Sequence, residues 1–87
     1  MWYAKKTTGG EHRNALAHLS YDKFTGLWRL RFYWKQYISG TLQRDIVHHS
    51  LYKEWCDTKK QALHILDIMG YIESSNQDRH IPGEKND

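Results

Sequence analysis

Eight consecutive residues, from Trp28 to Lys35, alternate large apolar side chains with polar and cationic ones. In an extended strand, successive side chains point to opposite sides, so this order separates two chemistries. One side, which we call the indole face, carries Trp28, Leu30, Phe32 and Trp34. The other side, which we call the basic face, carries Arg29, Arg31, Tyr33 and Lys35. This mixture of cations and phenol favours an anionic ligand, and nucleic acid is the commonest large anion that binds such a surface.

The basic face predicts contacts to double-stranded DNA. We expect Arg29 and Arg31 to contact phosphates or guanine edges, and Tyr33 to stack on a base or pack on a sugar. The complete predicted nucleic-acid-binding set is Arg29, Arg31, Tyr33, Lys35, Lys23 and Arg13. The alternative is a solvated face whose charges keep an aromatic-rich protein soluble and prevent edge aggregation. The net charge of +3 favours anionic partners but leaves both interpretations open.

Catalytic and metal chemistry have weaker support in the sequence. His48 and His49 are adjacent and point to opposite sides of a strand, and the chain has a single cysteine, so we expect no metal site. Cys56 is interpreted as a small buried thiol rather than a nucleophile. The carboxylates show no paired spacing for acid–base work, and no glycine-rich loop could hold a phosphate. We therefore expect neither an enzyme nor a cofactor.

Aromatic residues support a second hypothesis. Four Trp and six Tyr exceed what one helix on one sheet can bury, and exposed Tyr, Trp and Arg dominate protein–protein contacts. The alternative function is an inhibitor or adaptor that binds a host protein through this patch. Self-association through an open sheet edge is a further possibility.

Length and composition indicate one small domain of a cytoplasmic protein. The 87 residues suffice for a single modest core, and one cysteine excludes an internal disulfide, which fits a reducing compartment. The sequence contains no apolar run long enough to cross a membrane and begins without the pattern of a signal peptide. We expect a soluble protein that makes no membrane contact.

Hydrophobic periodicity predicts four strands. The segment from Met1 to Thr7 is a candidate edge strand, and the alternation from Arg13 to Tyr21 leads through the loop 22–26 into the strand described above, forming a hairpin over about 15–36. Residues 42–55 fit either a strand or a helix. We favour a strand, because β-branched and aromatic residues are frequent there.

A helix is predicted to begin at Thr58. Thr58 and Gln61 have capping-box spacing, and Gly70 is placed to end the helix. Its apolar stripe consists of Ala62, Ile65, Leu66, Met69 and Ile72. From residue 74 the composition becomes polar, so we predict one domain over 1–73 and a flexible tail over 74–87.

Together these elements predict an α+β fold, with a three- or four-stranded antiparallel sheet and one C-terminal helix packed on one face. The helix should cover the indole face. Because one helix covers only one side of a sheet, we expect the basic face to be open to water.

Two stretches resemble a known family. The run from Thr25 to Phe32 and the later run from Trp55 to Leu63 are similar to the arm-binding, Apetala-type DNA-binding domains of phage-type tyrosine recombinases, which share a Gly-x-Trp-x-x-Arg strand and a Thr-Lys-Lys turn into the helix. The resemblance covers about 21–72. It implies a three-stranded sheet that lies in the major groove, with Arg29, Arg31, Tyr33 and Lys35 towards DNA. It also implies a DNA-binding accessory or regulatory protein of a phage or mobile element.

Overall fold

The computed structural model describes residues 1–39 and 44–74. The elements in chain order are β1 (Trp2–Thr7), β2 (Gly10–Asp22), β3 (Leu27–Ser39), β4 (Arg44–Cys56), α1 (Lys59–Ile68) and β5 (Tyr71–Glu73). The predicted α+β class is confirmed, and the ambiguous segment 42–55 is a strand wherever it is described. Within the described ranges the sheet has five antiparallel strands, because a short strand after the helix joins it.

The β2–β3 hairpin forms where the alternation predicts it. Its ladder runs without a shift from Asp22 opposite Leu27 to Ala15 opposite Trp34. The turn closes with a hydrogen bond from the Gly26 N–H to the Asp22 carbonyl at 2.8 Å, and Gly26 has a φ of 73°, which glycine adopts at little steric cost. The ladder between β3 and β4 continues to Ser39 opposite Arg44, with one bulge beside Phe32.

The strand order is β4-β3-β2-β1-β5, so the expectation that the first strand lies at an edge is wrong. The three-residue strand β5, which follows the helix, pairs with β1. The pairing runs from Lys5 opposite Tyr71 to Tyr3 opposite Glu73. The Lys6 N–H also donates to the Gly70 carbonyl at 2.8 Å. After the helix, the chain therefore runs back alongside β1.

The helix is capped at both ends. Thr58 Oγ1 accepts a hydrogen bond from the Gln61 N–H at 3.1 Å, as the capping box predicts. The Gln61 side chain reaches back to the N–H of Asp57, one residue earlier than expected. Gly70, at a φ of 82°, follows the C-cap Met69. Ile72 departs from the predicted stripe, because it lies in β5 opposite Ala4.

The main core lies between α1 and the indole face. Its buried residues are Tyr3, Ala17, Leu19, Leu30, Phe32, Cys56, Ala62 and Leu66. Trp28 is partly buried against this cluster, whereas Trp34 remains 43% exposed. The helix therefore covers the indole face as predicted, but not as far as Trp34.

Ser74, which was assigned to the tail, is buried, and its hydroxyl donates to Glu11 Oε1 at 2.8 Å. The rest of the predicted tail, 75–87, lies outside the described residues. Within 1–39 and 44–74, no helix combines the length and the apolar character that a membrane crossing requires.

Candidate nucleic-acid interface

The basic face carries a second apolar cluster, which the sequence did not lead us to expect. Trp2 and Ala4 of β1, Leu16 of β2 and Tyr33 of β3 are all buried there. Tyr33 pairs with Leu16 across the ladder, and its ring lies 6.1 Å from that of Trp2. The side of the sheet opposite the helix is therefore covered near its centre.

This cluster corrects the expectation that Tyr33 and Lys35 face water. Tyr33 is 2% exposed and Lys35 is fully buried, so neither side chain is placed to meet a ligand. The alternation assigned both to the correct side of the strand. The error concerned what lies over that side: Trp2 and Ala4 of β1 and Leu16 of β2 pack with Tyr33.

Arg29 and Arg31 remain partly exposed, and β4 adds two residues beside them. The β3–β4 register sets Arg29 opposite Trp55 and Arg31 opposite Lys53. Directly opposite residues in an antiparallel pair share one face of the sheet. We call the accessible cations and indole of this face, Arg29, Arg31, Lys53 and Trp55, the cationic patch.

Trp55 is the aromatic centre of the cationic patch. Its ring centroid lies 5.8 Å from the guanidinium carbon of Arg29 and 5.5 Å from Lys53 Nζ. Both distances are within the range of cation–π attraction, which holds the two cations beside the indole. Trp55 is 42% exposed, so part of the indole is available for contact.

Arg31 is oriented by its neighbour on the same strand. Its Nη1 donates to the Tyr33 hydroxyl at 3.1 Å, which fixes one side of the guanidinium. Burial raises the pKa of Tyr33 above its usual value, while Arg31 and Arg29 act in the opposite direction. The phenol therefore stays neutral at physiological pH and acts as an acceptor for Arg31.

His18 on β2 lies directly opposite Arg31, and its pKa reflects the electrostatic environment of this face. Burial is the largest cause, followed by the amino group of Met1, Arg29 and Arg31, and together they lower the pKa of His18 to about 4. The Met1 nitrogen is 3.5 Å from His18 Nε2. The three charged groups that act on this imidazole are all positive, so the surroundings of the patch disfavour another cation.

Lys23 and Arg13, the remaining predicted contacts, lie at opposite ends of β2. Lys23 is exposed in the turn between β2 and β3, next to the patch end of the sheet. Arg13 is exposed ten residues earlier, roughly 33 Å along an extended strand, in the region where the β1–β2 register shifts. Lys23 is therefore at the end of the sheet from which Arg29 follows along β3, whereas Arg13 is distant from both.

Lys53 and Trp55 were missed because their relation to Arg29 depends on register. The alternation within β4 puts the two on one side, but it does not say which residues of β3 they oppose. A bulge between Phe32 and Tyr33 also shifts the pairing by one residue. No signal in the sequence locates that bulge.

Cys56 is buried, as interpreted from the sequence. Burial raises the pKa of its thiol, and Glu54 and Asp57 raise it further. The thiol therefore stays protonated and has little nucleophilic character.

Comparison of the chain with known protein families, with curated proteins and with solved structures finds no match. The resemblance to arm-binding domains stays a prediction.

Proposed function

We propose that this protein binds DNA through the cationic patch. The observation that carries the proposal is the β3–β4 register, which brings Arg29 and Arg31 of one strand beside Lys53 and Trp55 of the next. Three cations and an exposed indole then share one surface. The proposal is narrower than the set predicted from sequence, because it leaves out the buried Tyr33 and Lys35 and the distant Arg13.

The geometry suits a phosphate backbone. Successive residues on one face of a strand are about 6.6 Å apart, and neighbouring strands lie about 4.8 Å apart, so the cations form a compact group. Adjacent phosphates along one DNA strand repeat on a similar scale. Each phosphate that a cation neutralises adds roughly 0.9 to the slope of log affinity against log salt, so three such contacts give a slope near −3.

Exposed aromatic residues on β4 favour a second candidate, the host-protein inhibitor or adaptor. Leu51, Tyr52 and Trp55 are exposed on this strand, which forms one edge of the sheet. Tyr52 lies opposite Phe32 and Trp55 opposite Arg29, so the two rings are on opposite faces and one partner would meet both at the edge. A contact centred on these side chains would bury apolar area and depend little on salt. Salt dependence therefore separates the two candidates.

The direct test is titration of a fluorescently labelled DNA duplex with the protein at two salt concentrations. We expect affinity to fall with salt, and the double variant Arg29→Ala/Arg31→Ala to bind at least about tenfold more weakly, which corresponds to about 1.4 kcal/mol. The matched control is Lys5→Ala/Lys60→Ala, which removes the same charge from exposed positions outside the cationic patch. This control should lose far less affinity.

Circular dichroism and thermal unfolding establish that each variant remains folded. The proposal fails if the wild-type protein does not retain the duplex, or if both double variants bind equally well. Retention that is unaffected by salt, with loss only on Trp55→Ala, would contradict the role given to the three cations. The setting in a phage or mobile element and the cytoplasmic location stay predictions.

A further inference from the structure

Phe24, at the tip of the β2–β3 hairpin, is 98% exposed. The turn 23–26 extends beyond the last ladder pair, Asp22 opposite Leu27, so the ring lies outside the sheet. Four other aromatic side chains, Trp2, Tyr3, Phe32 and Tyr33, are buried in the two cores. This one contributes almost nothing to packing.

The turn holds Phe24 in a defined position. Asp22 Oδ1 accepts a hydrogen bond from the Phe24 N–H at 2.9 Å, and the Asp22 carbonyl accepts one from the Gly26 N–H at 2.8 Å. Thr25 Oγ1 accepts from the Leu27 N–H at 3.3 Å. Because short side chains bond the loop backbone around Phe24, the backbone that carries the ring is ordered before binding, which reduces the entropy lost on binding.

Two cations of the hairpin lie near Phe24, and the one carboxylate beside it in sequence, that of Asp22, accepts from the Phe24 N–H. Lys23 is its exposed neighbour, and Arg29 follows five residues later, at most about 17 Å along the chain. An apolar ring on a loop tip can contact a base step, and a cation beside it can contact one of the flanking phosphates. Proteins that bend DNA insert Phe, Leu or similar side chains between base pairs from the minor groove while cations hold the backbone.

We propose that Phe24 is a wedge that enters the base stack of duplex DNA from the minor groove, with Lys23 on an adjacent phosphate. This inference rests on the proposed function, because the cationic patch supplies the affinity that holds the hairpin against the duplex. The hairpin tip is then a second contact site, separate from the patch. Insertion removes an exposed ring from water and unstacks one base step.

The test uses short duplexes that carry 2-aminopurine at a series of positions, and duplexes with a donor and an acceptor dye at their ends. Saturating wild-type protein should raise 2-aminopurine fluorescence at the inserted step, because unstacking relieves quenching, and should shorten the distance between the ends as the DNA bends. Phe24→Ala should lose both signals under conditions where it remains bound. Its salt dependence should equal that of the wild type, since no charge is removed.

Two further variants make the result decisive. Phe24→Leu keeps an apolar wedge and should retain both optical signals. Ile68→Ala removes another exposed apolar side chain, 69% exposed on the helix, and should behave as the wild type does. None of the three variants should unfold the domain, because the two side chains that they alter are largely in water.

The outcomes separate this inference from the proposed function. Absence of DNA binding by the wild type overturns both. Binding that depends on Arg29 and Arg31, with equal 2-aminopurine and distance signals in the wild type and Phe24→Ala, overturns the wedge alone. The wedge alone is also overturned if both Phe24→Ala and Phe24→Leu fail to bind DNA while the wild type binds it. If Phe24 instead binds in a pocket of a partner protein, Phe24→Ala and the wild type should give the same 2-aminopurine and distance signals. That result would also overturn the wedge.

Discussion

His18 keeps a neutral imidazole among positive charges. Its ring lies 4.7 Å from that of Trp2, and the amino group of Met1, Arg29 and Arg31 act on it together with burial. The pKa falls from 6.5 to about 4. Between these two values the unfolded chain binds a proton that the folded chain does not, so folding becomes less favourable as the pH drops through this range.

We therefore predict that His18 makes the domain sensitive to acid. The full shift would correspond to about 3.4 kcal/mol at 1.36 kcal/mol per unit, and solvent screening of this partly exposed group reduces the expected loss to about 1–2 kcal/mol. The contribution is complete above pH 6.5 and is lost as the pH falls towards 4. Urea unfolding at pH 7 and pH 4.5 measures it.

His18→Gln provides the comparison, because glutamine has no proton to gain in this range. The variant should lose less stability than the wild type on acidification, while carboxylate titration affects both equally. Equal losses in the two proteins would show that His18 does not cause the acid sensitivity.

Tyr33 shows that a sequence pattern can predict the face of a side chain without predicting its burial. The alternation assigned Tyr33 to the correct face but gave no measure of its burial, since that depends on Trp2 and Leu16 from other strands. Side-chain direction is a local property of the strand. Exposure depends on which strands lie next to it, and no residue of β3 specifies them.

At the scale of elements, local chemistry explains most of what was predicted correctly. The hairpin depends on alternation on both sides of a four-residue connection that ends at Gly26. The helix depends on Thr58 and Gln61 at its start. Both signals act over a few residues, so they can be recognised without knowing the rest of the fold. The three-residue β5 was missed for the opposite reason, because its strand geometry comes from pairing with β1.

The N-cap gives a test at this scale. Thr58→Ala leaves the Gln61 N–H without its side-chain acceptor at the start of a ten-residue helix, so we expect a loss of about 1 kcal/mol. Thr58→Ser keeps the hydroxyl and should retain nearly all of the stability. Chemical denaturation of the two variants measures the difference, and equal stabilities would mean that the cap contributes nothing.

At the scale of the whole molecule, the two layers differ in length. The helix has 10 residues and is about 15 Å long, whereas β3 has 13 residues and spans about 43 Å. One short helix therefore covers roughly a third of the strand. This mismatch explains why Phe32 is buried under the helix layer while Trp34, two residues further on the same face, is 43% exposed.

The length mismatch predicts unequal costs for two similar substitutions. Phe32→Ala removes a fully buried ring and should destabilise the domain by about 3–5 kcal/mol. Trp34→Ala removes a half-exposed ring and should cost less than about 2 kcal/mol, contrary to what its place on the indole face suggests. Thermal or urea unfolding of both variants decides the point, and equal losses would contradict the role given to helix length.

Of the five described strands, β1 is the first to be synthesised, and its neighbour β5 is the last. Lys5 pairs with Tyr71, and at 5–20 residues per second the time between the synthesis of the two residues is roughly 3–13 s. Until then the nascent chain presents one side of β1 with its backbone groups unpaired, a template for strands of other chains. We expect a translational pause within α1 to prolong this exposure and to lower the share of the protein that reaches the native state.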